Sequence, residues 1–511
     1  MDPISMNSYN VSNLLRISGL ATGLDTDSMV QQLMKAASIP LDKLEQQKQW
    51  YQWQQEDLRD INAKLMDLRN NVVFNLKLQG TFMSKTVSST SPNVATATAG
   101  ANAVNGSYTI DVTQLAQPAY RTSGSLNIMD PNAALNQTGT IVLNNNNKSV
   151  SIQILSTDSL NTVISKINSS GAGITATYDK NLNRVFFMSN NTGSSQKIDF
   201  SGSDAGGQQI LNDFLNMGII FSTDGLNTDT NFVTGKDAKF YLNNDKTVQY
   251  TESTNSFSLL GLNITFNGVG TTNLSVSTDT DKIFNAIKSF VDTYNDIVTK
   301  INTKLTEKRY YDYPPLTDEQ KQAMKESDIK LWEEKARSGN LANDETLMRV
   351  YYSMRKVASS TVSGVGSLAS IGITTGLWYE GGKLYIDETK LRDAIANNLD
   401  KVKQIFSGVY QPDANGNPTL VAKGIAQDLY DTLKNGIDAI TNKAGSSSQF
   451  YDASFIGNRI KGIDDRIVQM QRYLNDLEKR YYAQFTQLEM YIGQMNSQSA
   501  WLNQQIGIMT K

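Results

Sequence analysis

The chain has 511 residues, of which 39% are hydrophobic and 19% charged, and its formal net charge is -3. This length exceeds one ordinary core, so roughly two to four domains are expected, and the charge balance favours neither nucleic acid nor anionic lipid as a partner. The chain has no cysteine and no histidine, which excludes disulfides, thiolate nucleophiles, imidazole bases and most transition-metal sites.

Neither a membrane span nor a cleaved signal is predicted. No window approaches the roughly 18 uninterrupted apolar residues that a spanning helix needs, and the N-terminus MDPISMNSYN lacks a basic region followed by an apolar one. Membrane insertion is therefore not expected.

The first predicted helix begins in the stretch SGLATGLDTDSMVQQLM. Asp25 and Asp27 suit a helix start because carboxylates accept hydrogen bonds from free N–H groups there, and Ser28 and Gln31 have the spacing of a capping box. Pro40 is expected to end this helix, and three turns alone are marginal in water, so the helix needs a partner. Its apolar face consists of Val30, Leu33, Met34 and Ala37.

A heptad repeat predicts a long helix from Leu41 to Val72. Its first companion positions are Gln47 and Gln54, so the apolar seam is weak at the N-terminal end and complete farther on. Gly80 ends the pattern. The predicted stalk seam on this helix consists of Leu44, Tyr51, Leu58, Ile61, Leu65 and Leu68.

The C-terminal segment carries a longer heptad repeat, with apolar residues at every seventh position from Ile460 to Met509. A helix of this length would run about 75 Å and needs a long partner, such as the first helix in antiparallel orientation. The inner part of its seam consists of Ile460, Ile463, Ile467, Met470, Leu474 and Leu477. The outer part of the helix, where glutamines interrupt the seam, carries the apolar residues Leu488, Tyr491, Met495, Leu502, Ile506 and Met509.

The region between these helices is predicted to be rich in β-strands. Residues 81 to 279 are rich in Asn, Ser, Thr and Gly, and short alternating stretches are separated by turn signals. One helix is expected within it, with Leu160, Val163, Ile164 and Ile167 on one face. Helical periodicity returns at Thr280, and further helices are predicted over 345–360, near 388–406 and over 420–442.

The predicted fold class is α+β multidomain, with long terminal helices forming a coiled-coil or helical-bundle stalk and β-rich head domains inserted between them. The predicted parts are terminal leg helices that are mobile in the monomer (1–43 with 484–511), a helical stalk with a small hairpin (44–80 with 280–483), an inner head (81–122 with 236–279) and an outer head (123–235).

Two stretches superficially resemble ligand loops, and neither is predicted to bind one. GLWYEGGKLY, residues 376–385, has its lysine one place late for a phosphate loop and Leu384 where Ser or Thr is needed, so a structural hairpin is predicted. STDGLNTDTN, residues 222–231, lacks the ligand order and closing Glu of an EF-hand, so Asx turns are predicted. No catalytic, cofactor-binding or metal-binding residue is predicted, and the chain is not expected to be an enzyme.

Taken in order, several stretches resemble the flagellar filament cap proteins, the hook-associated protein 2 family. SGLATGLDTDSMVQQLM followed by PLDKLEQQK looks like the N-terminal signature of that family. DSLNTVISKINSSGAGITATYD resembles a module shared with flagellin-type proteins. YDYPPLTDEQKQAM and GGKLYIDETKLRDAIANNLDKVKQIFSG are similar to the C-terminal half of the family.

The resemblance implies a secreted, extracellular homo-oligomer, often a five-membered ring, at the flagellum tip. Such a cap retains exported flagellin and helps it fold and insert, and filament elongation and motility depend on it. The implied partners are further copies of the chain, flagellin, hook-filament junction proteins and a flagellar type III export chaperone. The residues assigned to assembly or flagellin contact are Val30, Leu33, Met34, Ala37, Leu488, Tyr491, Met495, Leu502, Ile506 and Met509.

Two alternatives stay open at this point. One is a secreted stalked adhesin or glycan-binding or glycan-hydrolysing protein, because adhesion through residues 123–235 is compatible with the sequence. The other is a hook-filament junction protein or flagellin itself, although these lack the internal EQKQAM and GKLYID stretches.

Overall fold

A computed structural model describes residues 25–126, 130–446 and 452–509. The chain divides into two compact units, a helical unit formed by Met1–Leu78 with Phe284–Lys511 and a β-rich unit formed by Gln79–Ile283. The part of the predicted leg that covers residues 1–24 lies outside the described residues, as do the last two residues of the chain.

Most of the helices belong to the helical unit. The α-helices of the described residues are α1 (Thr26–Asp67), α2 (Phe74–Lys77), α3 (Leu160–Ser169), α4 (Ala205–Gln209), α5 (Thr280–Thr306), α6 (Asp318–Gln322), α7 (Glu326–Arg337), α8 (Glu345–Ala358), α9 (Glu388–Asn397), α10 (Leu399–Ser407), α11 (Ile425–Ala444) and α12 (Phe455–Met509). Of these, α3 and α4 belong to the β-rich unit. A π-helical turn, Leu68–Val73, joins α1 to α2, and a second one, Ile210–Phe214, follows α4.

The strands lie mainly in the β-rich unit. They are β1 (Lys85–Ser89), β2 (Ala95–Ala99), β3 (Gly106–Gln114), β4 (Pro118–Thr122), β5 (Gly139–Asn145), β6 (Lys148–Ile154), β7 (Ile174–Asp179), β8 (Arg184–Thr192), β9 (Lys197–Ile198), β10 (Val233–Thr234), β11 (Ala238–Leu242), β12 (Asp245–Glu252), β13 (Ser256–Leu259), β14 (Leu262–Phe266), β15 (Gly270–Thr278), β16 (Thr361–Val362), β17 (Gly366–Ser367), β18 (Ile373–Thr375), β19 (Leu384–Ile386), β20 (Val409–Pro412) and β21 (Pro418–Ala422).

This order of elements confirms the predicted fold class, with a long helix near each end of the chain and β-rich structure between them. The hairpin predicted around GLWYEGGKLY is also confirmed, because β18 and β19 pair antiparallel, but its first strand precedes this stretch and Trp378–Glu380 forms a 3-10 turn between the strands. The stretch 222–231 contains the predicted Asx turn, in which the Asp224 carboxylate accepts hydrogen bonds from the Leu226 N–H and the Ser222 hydroxyl.

The prediction that Pro40 ends the first helix is wrong, because α1 continues through it from Thr26 to Asp67. A proline inside a helix costs about 3 kcal/mol, since it removes a hydrogen bond and crowds the preceding turn. Pro40 is exposed, so water can reach the backbone beside it, whereas Leu41 is buried against α12. Packing on both sides of the proline therefore outweighs the local cost.

The capping box predicted at Ser28 is also wrong. The N-cap is Asp25, whose carboxylate accepts a hydrogen bond from the Ser28 N–H at 3.0 Å. Ser28 lies within the first turn, and Asp27 is the acidic residue of that turn. Both aspartates stabilise the positive end of the helix dipole. This explains why the N-cap is Asp25, three residues before Ser28.

The core of the helical unit is arranged around α11, which contacts α1, α8, α10 and α12. Helix α5 begins at Thr280, where the sequence predicted that helical periodicity returns, and its apolar face includes the fully buried Phe290 and Tyr294. The buried residues of α11 are Ile425, Ala426, Leu429, Leu433, Gly436, Ile437, Ile440 and Ala444.

Two separate hydrophobic clusters stabilise the β-rich unit. The first lies between a five-stranded antiparallel sheet, in the order β1-β15-β3-β11-β12, and a three-stranded sheet, β13-β14-β2. At its centre the Phe240 ring stacks on Phe257 at 5.4 Å and meets Phe266 edge-on at 5.1 Å. These ring pairs fix the spacing of the two sheets.

The second cluster combines the sheets β4-β8-β7 and β5-β6 with α3. Helix α3 is confirmed as predicted: Leu160, Val163 and Ile167 are buried, and Ile164 packs at the margin of the cluster. The Ser159 hydroxyl caps the helix by accepting from the Thr162 N–H. The four-part domain boundaries and the mobility of the legs in the monomer stay predictions.

Neither a membrane-spanning helix nor a metal cluster is found in the described part of the chain. None of its helices combines the length and apolar character that crossing a bilayer requires, and it contains no group of three or more Asp or Glu residues placed to hold a metal ion.

Candidate functional site

Helices α1 and α12 pack antiparallel along their heptad seams. Lys48 of α1 pairs with Asp464 of α12 at 2.7 Å, and Arg59 pairs with Asp452, just before α12, at 2.8 Å. Around the Lys48–Asp464 pair and from there toward the start of α1, both helices bury apolar side chains against each other. The members of this cluster are Leu41, Ile463, Ile467 and Leu474, packed by Met34, Ala37, Leu44, Tyr51 and Met470.

The Lys48–Asp464 ion pair also shows beside which residue of α12 the first residue of α1 lies. Thr26 lies 22 residues before Lys48, so on antiparallel helices of equal rise it lies beside the residue 22 positions after Asp464, which is Thr486. From Thr486 to Met509, α12 continues for about another 35 Å without α1 beside it.

The heptad seam of α12 continues in register along this extension, but its side chains become exposed. Ile463 and Leu474 are only 5% and 3% exposed, whereas Leu488 is 44%, Tyr491 65%, Met495 67% and Leu502 52% exposed. We call the four residues Leu488, Tyr491, Met495 and Leu502 the distal stripe. It has the spacing of a buried helix face without being buried by the described residues of the chain.

The N-terminal part of α1 differs from the distal stripe. Val30 is only 1% exposed, Met34 and Ala37 are half-buried, and Leu33 is exposed. Of the residues assigned to the outer contact, the structure thus places Val30 inside the chain and leaves Leu33 available. Ile506 is 58% exposed, and the side chain of Met509 lies outside the described residues.

The predicted stalk-seam residues lie in the interior of the helical unit. Leu58, Ile61, Leu65 and Leu68 of the first helix are buried, and Leu44 and Tyr51 are half-buried. On α12, Ile460, Met470 and Leu477 are half-buried beside the buried Ile463, Ile467 and Leu474. The two helices that carry these sets pack against each other, and α1 also packs against α11.

Two exposed apolar residues near the distal stripe were missed by the sequence reasoning. Met490 and Trp501 are 59% and 58% exposed. Both lie off the seven-residue spacing, so the heptad search excluded them. The signal that could have found Trp501 is its chemistry, because a tryptophan in a glutamine-rich helix end is a typical interface anchor.

Four carboxylates come together where α1 faces the start of α6. Burial raises the pKa of Asp42, and the charge of Glu319 raises it further. Burial also raises the pKa of Glu45, and the charges of Asp42, Asp318 and Glu319 add to it, while Lys48 opposes them. These carboxylates repel one another at neutral pH.

Replacing Glu45 with glutamine is expected to stabilise the helical unit at neutral pH. A raised pKa means that the folded state binds the proton more tightly, so the free energy of unfolding falls as the pH rises through that pKa. The gain of Glu45→Gln should therefore be a few degrees in melting temperature at neutral pH and vanish below the ordinary value of 4.5.

Thermal unfolding followed by circular dichroism at both pH values measures this difference. The matched control is Glu334→Gln, which removes an exposed carboxylate from α7. Equal melting temperatures for Glu45→Gln and the unmodified chain at neutral pH would contradict the repulsion.

Most of the chain matches models of known protein families. A model of the flagellar hook-associated protein 2 C-terminus matches residues 235–497, and one of its N-terminus matches residues 22–119. A model described as the flagellin hook IN motif matches residues 140–191, within the second cluster of the β-rich unit.

Individual relatives agree with these matches. The chain is 32% identical to flagellar hook-associated protein 2 of Halalkalibacterium halodurans, over 96% of this chain and 99% of the relative. It is 26% identical to that of Escherichia coli, over 95% and 97%. Among solved structures, the flagellar cap protein FliD from Escherichia coli aligns with a TM-score of 0.56 at 22% identity, covering 80% of this chain and 99% of that one, which shows the shared fold.

Proposed function

Because the chain belongs to the flagellar hook-associated protein 2 family, we propose that it caps the distal tip of a bacterial flagellar filament. In this role it is a structural protein of the flagellum exterior and assembles with further copies of itself into a ring. It retains exported flagellin at the tip and promotes its folding and insertion, so that filament elongation and motility depend on it.

The observation that carries this proposal is the distal stripe. Its residues keep the register of the seam that is buried farther back on α12, but they lie on the extension of α12 that continues about 35 Å beyond the start of α1. An apolar seam of this kind gains its stabilisation when a second helix covers it. Flagellin at the filament end and neighbouring copies are the partners that supply such helices.

The remaining partners follow from the same surface. A flagellar type III export chaperone would cover the distal stripe before export, since exposed apolar side chains favour aggregation. Hook-filament junction proteins would offer the first docking site before any flagellin is present. Leu33 and the distal stripe are the residues that we assign to these contacts, whereas Val30 is buried.

Deletion of the gene in the bacterium that encodes this chain tests the proposed function. The expected result is a cell that has hooks, lacks filaments and releases flagellin monomers into the medium, and a plasmid-borne copy should restore filament length and swimming. Electron microscopy and immunoblotting of the medium measure both effects. Filaments of normal length on the deletion strain would refute the proposal.

A further inference from the structure

A cleft lined by aromatic side chains lies between α1 and the segment 309–315 of the helical unit. Its volume is about 370 Å³, and its walls include Trp50 and Tyr51 of α1 together with Tyr310, Tyr311 and the Pro314–Pro315 pair. The segment is held in place from behind, since the Trp332 indole N–H donates to the Pro314 carbonyl at 2.8 Å. We call this feature the aromatic cleft.

The aromatic cleft already holds one guanidinium group. The Arg309 guanidinium carbon lies 4.2 Å from the centre of the Trp50 ring and 4.7 Å from that of Tyr311. Tyr311 is 79% exposed, so its other face is available to a partner. Arginine is the cation that stacks most readily on such rings.

One rim of the aromatic cleft is acidic. Asp42 and Glu45 lie on α1 one to two turns before Trp50, and Asp318 and Glu319 begin α6 shortly after Pro315. Within the described residues, none of these four carboxylates forms an ion pair, since Lys48 is paired with Asp464 and Lys321 with Glu333. A cationic partner would relieve their mutual repulsion.

A surface of opposite charge lies on α12 of the same chain. Arg459, Arg466 and Arg480, together with Tyr473, are spaced by seven residues, so they form one stripe along the helix, and all are exposed. No carboxylate of the described residues lies within ion-pair distance of these arginines. We call Arg459 and Arg466 the arginine pair.

The dimensions of the two surfaces agree. Arg459 and Arg466 are separated along α12 by about 10 Å, and Asp42 and Trp50 are separated along α1 by about 12 Å. One arginine of the pair can therefore reach the acidic rim while the other stacks on the exposed face of Tyr311 at the mouth of the aromatic cleft.

We infer that the aromatic cleft with its acidic rim binds the arginine pair of a second copy of this chain. The inference rests on the proposed ring and names the contact that builds it. Cleft and arginine pair are different patches of one molecule, so the contact is heterologous, and repeated contacts of this kind close into a ring when the rotation allows. The opposite charges also set the orientation of each new copy.

Charge reversal on either surface tests the contact. The arginine variant is Arg459→Glu/Arg466→Glu, and the cleft variant is Asp42→Lys/Glu45→Lys. Each alone should weaken self-association of the full-length protein about tenfold or more in sedimentation velocity, because like charges then meet. A mixture of the two should regain association, since the native arginines of one fit the native cleft of the other.

The matched control is Lys64→Glu/Lys356→Glu, which reverses two exposed charges of the helical unit and should associate like the unmodified chain. Circular dichroism verifies that every variant is folded. Unchanged association of either variant, or a mixture that stays dissociated, would overturn the inference while the proposed cap function stands. An unmodified chain that is monomeric at every concentration would overturn both this contact and the ring.

Discussion

Replacing Tyr491, Met495 and Leu502 together with alanine will abolish filament growth without changing the stability of the isolated chain. All three side chains are more than half exposed, so their truncation removes almost no buried area from the monomer. Alanine also favours the helix, so α12 should keep its helicity. If flagellin or a neighbouring copy covers these residues, each loses about 1.5 to 3 kcal/mol of burial in the assembly.

The measurement has two parts. Thermal unfolding of the purified variant should match that of the unmodified chain, and electron microscopy of the complemented deletion strain should show hooks without filaments. Both readouts are needed because a misfolded protein would also fail to support growth. Filaments of normal length in this strain would show that the distal stripe is not part of the assembly contact.

A control variant on another face of α12 tests whether the loss of filaments depends on the seam or follows from any alanine substitution in this part of the helix. Ser497→Ala/Gln504→Ala alters two exposed residues that are also spaced by seven but lie off the seam. This variant should support longer filaments than the distal-stripe variant. If both variants fail equally, the contact involves the whole surface of the helix and not the seam alone.

Replacing Arg121 with leucine is expected to destabilise the second cluster of the β-rich unit by about 3 to 5 kcal/mol. Arg121 and Asp229 form a buried ion pair at 3.0 Å, and their side chains are 7% and 0% exposed. The second Arg121 nitrogen donates to Asn231, and the Asp229 carboxylate accepts from the Phe200 N–H. Without the arginine, a charged carboxylate is left buried without its cation.

The deficit should depend on pH in a defined direction. Burial raises the pKa of Asp229 even though Arg121 opposes this effect, so removing Arg121 raises the pKa further. A raised carboxyl pKa means that stability is lost as the pH rises through it. The Arg121→Leu chain should therefore recover stability when the pH falls from neutral to about 5, because protonation removes the unpaired charge.

Hydrogen exchange over residues 118–235 measures this effect locally, because the exchange of each amide reports the opening of its own segment. Adding Asp229→Asn to Arg121→Leu should restore part of the protection, because no unpaired charge remains. The control Lys246→Leu breaks the exposed ion pair with Asp111 in the same unit and should cost less than about 1 kcal/mol. Unchanged exchange in Arg121→Leu would contradict a structural role of the pair.

The helices were predictable because their signals are local. The seven-residue spacing on α12 and the apolar face of α3 are properties of short windows, and backbone geometry turns such spacing into one face of a helix. The asparagine-rich, alternating stretches predicted β-structure for the same reason. The sequence reasoning failed where a local rule met a distant contact, as at Pro40, where packing of α1 on α12 outweighs the cost of the proline.

The candidate site was predictable only in part. The heptad spacing identified Tyr491 and Met495, but the predicted contact set also included Val30 from the apolar face of the first helix, and the fold buries Val30. It excluded Trp501 by register, although this side chain is exposed beside the distal stripe. The aromatic cleft was beyond any local window, since the whole β-rich unit lies between Trp50 and Tyr311 in the sequence.

By itself, the sequence determined which positions form continuous apolar faces, where strands alternate, and which chemistry the absence of cysteine and histidine removes. These follow from side-chain size, polarity and spacing within one or two turns. Only the tertiary structure decided which part of a face is covered, because α1 begins beside Thr486 while the seam of α12 runs on. It also brought Arg121 to Asp229 across 108 residues, a contact that depends on how the strands pair and not on any local pattern.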